Sequence, residues 1–162
     1  MKKILLAVAV AAVATMAVAS AASAAPGVTT HTVTVNAATD GVVDLPALNS
    51  QFTKMTIKVN DGSANWGEGL YTSYGGGGTS TNRNLLSGYW GDTTLPGHGA
   101  LLLEGTQVGA VIYRVDGAEW HEVVPGTTVE GNHSVQVAYN DRPGSYDDNS
   151  GSLSLTVVRT KA

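Results

Sequence analysis

Between Asp141 and Asn149 the chain carries Asp141, Ser145, Asp147, Asp148 and Asn149, its densest run of oxygen-bearing side chains. Carboxylates this close repel one another unless something positive sits among them. A hard cation relieves that repulsion. Calcium fits best, because it accepts about six to eight oxygens from carboxylates, amides, carbonyls and water. A solvated polar loop is the alternative, since Asx-rich turns are common. Pro143-Gly144 stands in the middle of the run and forces a turn: Pro fixes φ, and Gly tolerates left-handed backbone.

Other chemistries find no such clustering. The four histidines, His31, His98, His121 and His133, are scattered without ligand spacing. His121-Glu122 lacks the second histidine of a zinc-protease helix, and position 125 is proline. There is no Gly-x-Ser-x-Gly elbow. The run Gly75–Gly78 is followed by no Gly-Lys-Ser/Thr and reads as a flexible loop rather than a phosphate cradle. Paired carboxylates could serve glycoside hydrolysis, but Asp141, Asp147 and Asp148 share one loop and would be committed to metal. The expectation is a binding protein, not an enzyme.

The loop needs a frame. Ser134–Tyr139 before it and Ser152–Val158 after it alternate apolar and polar residues, as strands with one buried face do. His31–Asn36 and Lys54–Val59 alternate as well, the latter with Met55, Ile57 and Val59 on one face. Ala100–Glu104 is continuously apolar and reads as a strand buried on both faces. Val108–Tyr113 and Ala118–Val123 complete a set of at least seven strands. Turn signals separate them: Asp40-Gly41, Asp61-Gly62, Asp116-Gly117, Pro125-Gly126 and Glu130-Gly131. No stretch after Ala25 keeps a helical period, and no repeat is visible. The reading is an all-β sandwich. Asp61 to Gly99 is expected to be a long irregular loop carrying Trp66, Tyr71, Tyr74, Tyr89 and Trp90, and long loops with aromatics tend to be functional.

The run Tyr139-Asn140-Asp141-x-Pro143-Gly144-Ser145-Tyr146-x-x-Asn149-Ser150-Gly151 resembles the signature loop of the PA-IL (LecA-type) galactophilic lectins. The match covers about thirteen consecutive positions, with weaker similarity through Thr53–Thr156. The resemblance implies a jelly-roll-like sandwich of two antiparallel sheets, a bound calcium, and a galactose-type sugar held through vicinal hydroxyls on that calcium. It implies metal ligands at Asp141, Asp148 and Asn149 through side chains and at Ser145 and Tyr74 through backbone carbonyls. It implies sugar contacts from Asp141, Arg142, Ser145 and Asp148 in the loop, and from the Tyr74 ring. Trp90-Gly91 and His98 stand at the family's spacing for two further contacts. The family's His-Pro-x-Gln run is missing, replaced by Leu95-Pro96-Gly97-His98-Gly99. A second departure is Asp147-Asp148-Asn149 where the family has Gly-Asn-Asn. An amide donates and accepts, whereas a carboxylate only accepts, so Asp148 should tighten calcium and shift or abolish the sugar preference. A calcium-stabilised structural or adhesive module that binds no sugar is the rival reading.

Met1-Lys2-Lys3, the apolar run Ile4–Ala19 and the small-x-small Ala22-Ser23-Ala24 form a secretory signal peptide, expected to span residues 1–24 and leave a domain of 25–162. The apolar run is short for a membrane span. The expected location is extracellular or periplasmic. Without Lys2 and Lys3, seven basic residues face thirteen acidic ones, a formal net charge of −6. That charge argues against nucleic acid and anionic membranes as partners. The chain has no cysteine, so a secreted domain must rest on its core, on metal or on oligomerisation. The family's tendency to tetramers leaves a homo-oligomer open.

Overall fold

The computed structural model describes residues 27–65, 71–75, 79–83, 101–104, 106 and 108–161. Among these described residues there are eleven strands: β1 Val28–Asn36, β2 Val43–Asp44, β3 Lys54–Val59, β4 Gly62–Asn65, β5 Tyr71–Gly75, β6 Thr79–Arg83, β7 Val111–Val115, β8 His121–Glu122, β9 Thr128–Glu130, β10 Val135–Tyr139 and β11 Ser150–Thr160. They form two antiparallel sheets, the all-β sandwich that the alternation predicts. The smaller sheet has the order β2-β10-β7-β8.

The larger sheet is built on β11, whose eleven residues present Leu153, Leu155 and Val157 to the interior. β1 lies along one side of it, with Val33 opposite Leu155. β3 and then β4 lie along the other side. Val59 faces Leu155 and Ala64 faces Gly151. Five steps on one strand therefore match four on the other, a bulge of one residue. Asn60 closes the gap. Its N–H donates to the Ser154 carbonyl at 2.9 Å, its Nδ2 to Ser154 Oγ at 2.8 Å, and its Oδ1 accepts from Thr156 Oγ1 at 2.8 Å.

Met55, Ile57 and Val59 from β3, Val35 from β1, Val111 from β7 and Val135, Val137 and Tyr139 from β10 join the β11 stripe in one core. Full burial of such a side chain contributes about 1.5–3 kcal/mol. Leu155→Ala should cost about 2–5 kcal/mol through transfer and cavity terms.

Two expectations need correcting. Asp61–Gly99 is not irregular throughout, because β4, β5 and β6 lie within it and pair in sequence. Their Ser, Thr, Asn and Gly residues give no apolar alternation, so the pairing leaves no trace in the sequence pattern. Leu101–Leu103 is not a strand buried on both faces. It is partly buried irregular chain, pinned to Asn140: Leu103 N–H donates to Asn140 Oδ1 at 2.9 Å, and Asn140 Nδ2 donates to the Leu103 carbonyl at 3.1 Å. Apolar runs of this length do not distinguish a strand from packed coil.

Candidate cation and sugar site

β10 ends at Tyr139, and β11 begins at Ser150. The connection is fixed from within. Pro143 and Gly144 occupy the centre of a turn closed by Ser145 N–H on the Arg142 carbonyl at 3.0 Å. Gly144 has φ +85°, the conformation that turn requires and that L side chains resist. A single 3-10 turn, Tyr146–Asp148, follows. The Tyr146 ring is buried beneath the loop, and its hydroxyl donates to the Tyr139 carbonyl at 3.1 Å. Burial, then the charges of Asp141 and Asp40, push its phenol up to about 12.

This scaffold brings Asp141 and Asn149 together. Asp141 is 8 % exposed and Asn149 6 %. Asn149 Nδ2 donates to Asp141 Oδ2 at 2.7 Å and to the Ala37 carbonyl, at the end of β1, at 3.0 Å. Asp141 Oδ1 accepts from Arg142 N–H at 2.6 Å. Asn149 Oδ1 is buried and has no hydrogen-bond partner. Burial raises the Asp141 carboxyl above its ordinary range. The hydrogen bonds from Asn149 and Arg142 pull it down, and the neighbouring Asp148 charge pushes it up again. A buried carboxylate whose proton affinity is raised, beside an orphaned amide oxygen, is what a hard cation with oxygen ligands would relieve. The residues present fit calcium. Among the described residues no three Asp, Glu, His or Cys side chains converge, so the donor set would be mixed: carboxylate, amide and carbonyl.

The other expected residues divide. Ser145 and Arg142 belong to the same turn, where Arg142 Nε donates to Ser145 Oγ at 2.7 Å. Asp147 and Asp148 are exposed on the 3-10 turn. Trp90 and His98 lie outside the described residues.

Tyr74 is in β5 and is 4 % exposed. Its hydroxyl accepts a 2.6 Å hydrogen bond from Val111 N–H, and burial raises its phenol well above the ordinary range. The ring belongs to the core, so the expectation that it packs on a sugar is corrected. Spacing places the residue, but only the turn of the strand decides which face receives the ring.

Residues that the sequence reading passed over also matter. The Ala37 carbonyl anchors Asn149, and a backbone oxygen has no signature in sequence. Asp40, read as a turn former, lines an open depression of about 370 Å³ beside the loop, with Ala38, Thr39, Gly144, Tyr146 and Asp147.

The chain matches no protein-family model and no curated protein.

Proposed function

We propose that this chain is a secreted calcium-dependent carbohydrate-binding protein of the lectin class. The observation that carries the reading is the buried Asp141–Asn149 pair with its unpartnered Asn149 Oδ1, at the head of a loop that resembles the calcium loop of galactophilic lectins. Asp141, Asn149 and Asp148 would hold the ion through side chains, with the Ser145 carbonyl and, as the resemblance implies, the Tyr74 carbonyl. Bound calcium supplies a positive centre with oxygen positions left for two vicinal hydroxyls of a sugar.

The chain's own residues define what else the sugar meets. Arg142 and the exposed Asp147 and Asp148 border the loop. Asp148 accepts hydrogen bonds and donates none, so a galactose hydroxyl there must be the donor. Asp148→Asn supplies a donor, and galactose binding should strengthen while calcium affinity falls. A monosaccharide makes few contacts, so affinity per site is modest.

The burial of Tyr74 favours a second reading, because it removes one aromatic platform from the sugar. In that reading the loop binds calcium to rigidify an extracellular or adhesive module. A glycan array read with calcium and with EDTA separates the two. EDTA-sensitive binding of galactosides or another vicinal diol supports the lectin. A calcium-dependent melting shift without glycan binding, in both the parent and Asp148→Asn, supports the module.

A further inference from the structure

The edges of the two sheets are not alike. In the smaller sheet, β2 and β8 are two residues long. In the larger sheet, β9 has three residues, and its Glu130 pairs with Lys54 at 2.9 Å, while β6 at the far end has five and carries Arg83. Short and charged edges resist pairing with another chain. β1 is different. It runs nine residues, Val-Thr-Thr-His-Thr-Val-Thr-Val-Asn, with no acidic residue, lysine, arginine or proline. Among the described residues it pairs with β11 alone.

The register states which groups face outward. Ala37 N–H donates to the Gly151 carbonyl and Lys161 N–H to the Gly27 carbonyl, at 3.0 and 2.8 Å. Both contacts continue the pairing in which Thr32 faces Thr156. Antiparallel strands alternate hydrogen-bonded and non-bonded pairs. The odd-numbered residues of β1 therefore bond to β11. Val28, Thr30, Thr32, Thr34 and Asn36 turn their N–H and carbonyl groups away from the sheet. The side chains of Thr30, Thr32, Thr34 and Asn36 are exposed as well.

The geometry points to β1 as a homodimer edge, joined antiparallel to β1 of a second copy about a two-fold axis at Thr32. In that register Thr32 meets Thr32, Thr30 meets Thr34, and Val28 meets Asn36, each a hydrogen-bonded pair of outward-facing residues. The contact is isologous, as a two-fold requires. Threonines meet across the strands, a favourable pairing, and no like charges oppose. The two larger sheets become one continuous sheet. The Ala37 carbonyls that anchor Asn149 then lie about 34 Å apart, ten strand residues at about 3.4 Å each. If the loop binds glycans as proposed above, the dimer makes the protein bivalent; the dimer itself does not depend on that reading.

Sedimentation of the purified protein tests the inference. The parent is expected at twice the chain mass. Thr32→Pro removes an N–H that points outward and leaves the β11 ladder intact, a substitution edge strands accept. It should sediment at half the parent's mass with an unchanged circular dichroism spectrum. Thr32→Lys, which sets two like charges together on the axis, serves if Thr32→Pro does not fold, and should also be monomeric. The chain has no cysteine, so single-cysteine cross-linking reads the register. Paired Cα atoms at Thr32 would be about 5.5 Å apart, within disulfide reach. Two Thr30 positions would be about 14 Å apart. Thr32→Cys should form a covalent dimer on mild oxidation, and Thr30→Cys should not. A monomeric parent, a dimer that survives both Thr32→Pro and Thr32→Lys, or equal cross-linking of the two cysteine variants overturns the proposal.

Discussion

Two aspartates at the margins of the smaller sheet differ in how far their surroundings satisfy them. Asp116 sits in the turn after β7. Its φ of +50° and the +73° of Gly117 make the reversal, which Ala118 N–H closes on the Val115 carbonyl at 2.9 Å. Its carboxylate accepts from Ser134 N–H and Oγ at 2.8 and 3.0 Å and meets His133 Nδ1 at 2.6 Å. It is exposed, and these partners, His133 first, hold its carboxyl below the ordinary range. Asp141 also accepts two short hydrogen bonds, yet its carboxyl is raised, because burial outweighs them. Water and neighbours complete the first aspartate. The second stands in a place where water is largely excluded and an amide oxygen beside it has nothing to bond. Hydrogen bonding alone does not mark a functional carboxylate. The cation site proposed at Asp141 rests instead on the combination of burial, raised proton affinity and an unmatched acceptor.

The strongest way to break this contrast is calcium. A ligand that binds the folded state alone stabilises it by about 2.7 kcal/mol at a hundredfold excess over its dissociation constant. Thermal scans in calcium and in EDTA should differ accordingly. Asp141→Asn, which deletes a full charge from the site, should remove most of the difference. Asp116→Asn should leave it intact. Superimposable scans of the parent would mean that Asp141 is a buried structural acid and no more.

A smaller effect isolates the amide. Asn149→Ala takes away the donor shared by Asp141 Oδ2 and the Ala37 carbonyl. Leaving a buried acceptor unsatisfied costs about 1–3 kcal/mol, and the loss should appear in EDTA, by chemical denaturation, before any metal is added. Ser134→Ala at the exposed aspartate should cost less, since water replaces the lost hydroxyl. Equal losses would erase the distinction between the two sites.

The smallest effect is in pH, and its sign differs between the sites. The folded carboxyl of Asp116 lies below its ordinary value. Its contribution is present above the ordinary carboxylate range and is lost as pH falls through the lowered value. The folded carboxyl of Asp141 in EDTA lies above its ordinary value. Its contribution is present at acid pH and is lost as pH rises through the raised value. Subtracting the melting midpoint of Asp116→Asn from that of the parent should therefore give a difference that shrinks on acidification. The same subtraction for Asp141→Asn should grow. Curves of the same slope would refute the assignment of opposite environments.

Much of the frame was legible in the amino-acid order. Period-two alternation found β1, β3, β10 and β11, because each has one face in the core and one in water, and that asymmetry is written residue by residue. The Pro143-Gly144 turn and the crowding of Asp141, Asp148 and Asn149 were legible for the same reason: they are properties of neighbours in sequence. Tertiary structure decided what depends on distant partners. β4, β5 and β6 are strands because they pair with one another and with β11, not because their polar residues favour strand. Tyr74 faces the core because its hydroxyl meets the amide of Val111, 37 residues away. Asn149 is oriented by the carbonyl of Ala37, 112 residues away, which leaves its own oxygen unmatched. Which backbone groups of β1 face outward follows from its register on β11. A sequence lists donors and acceptors, and only the folded chain determines which of them remain without a partner.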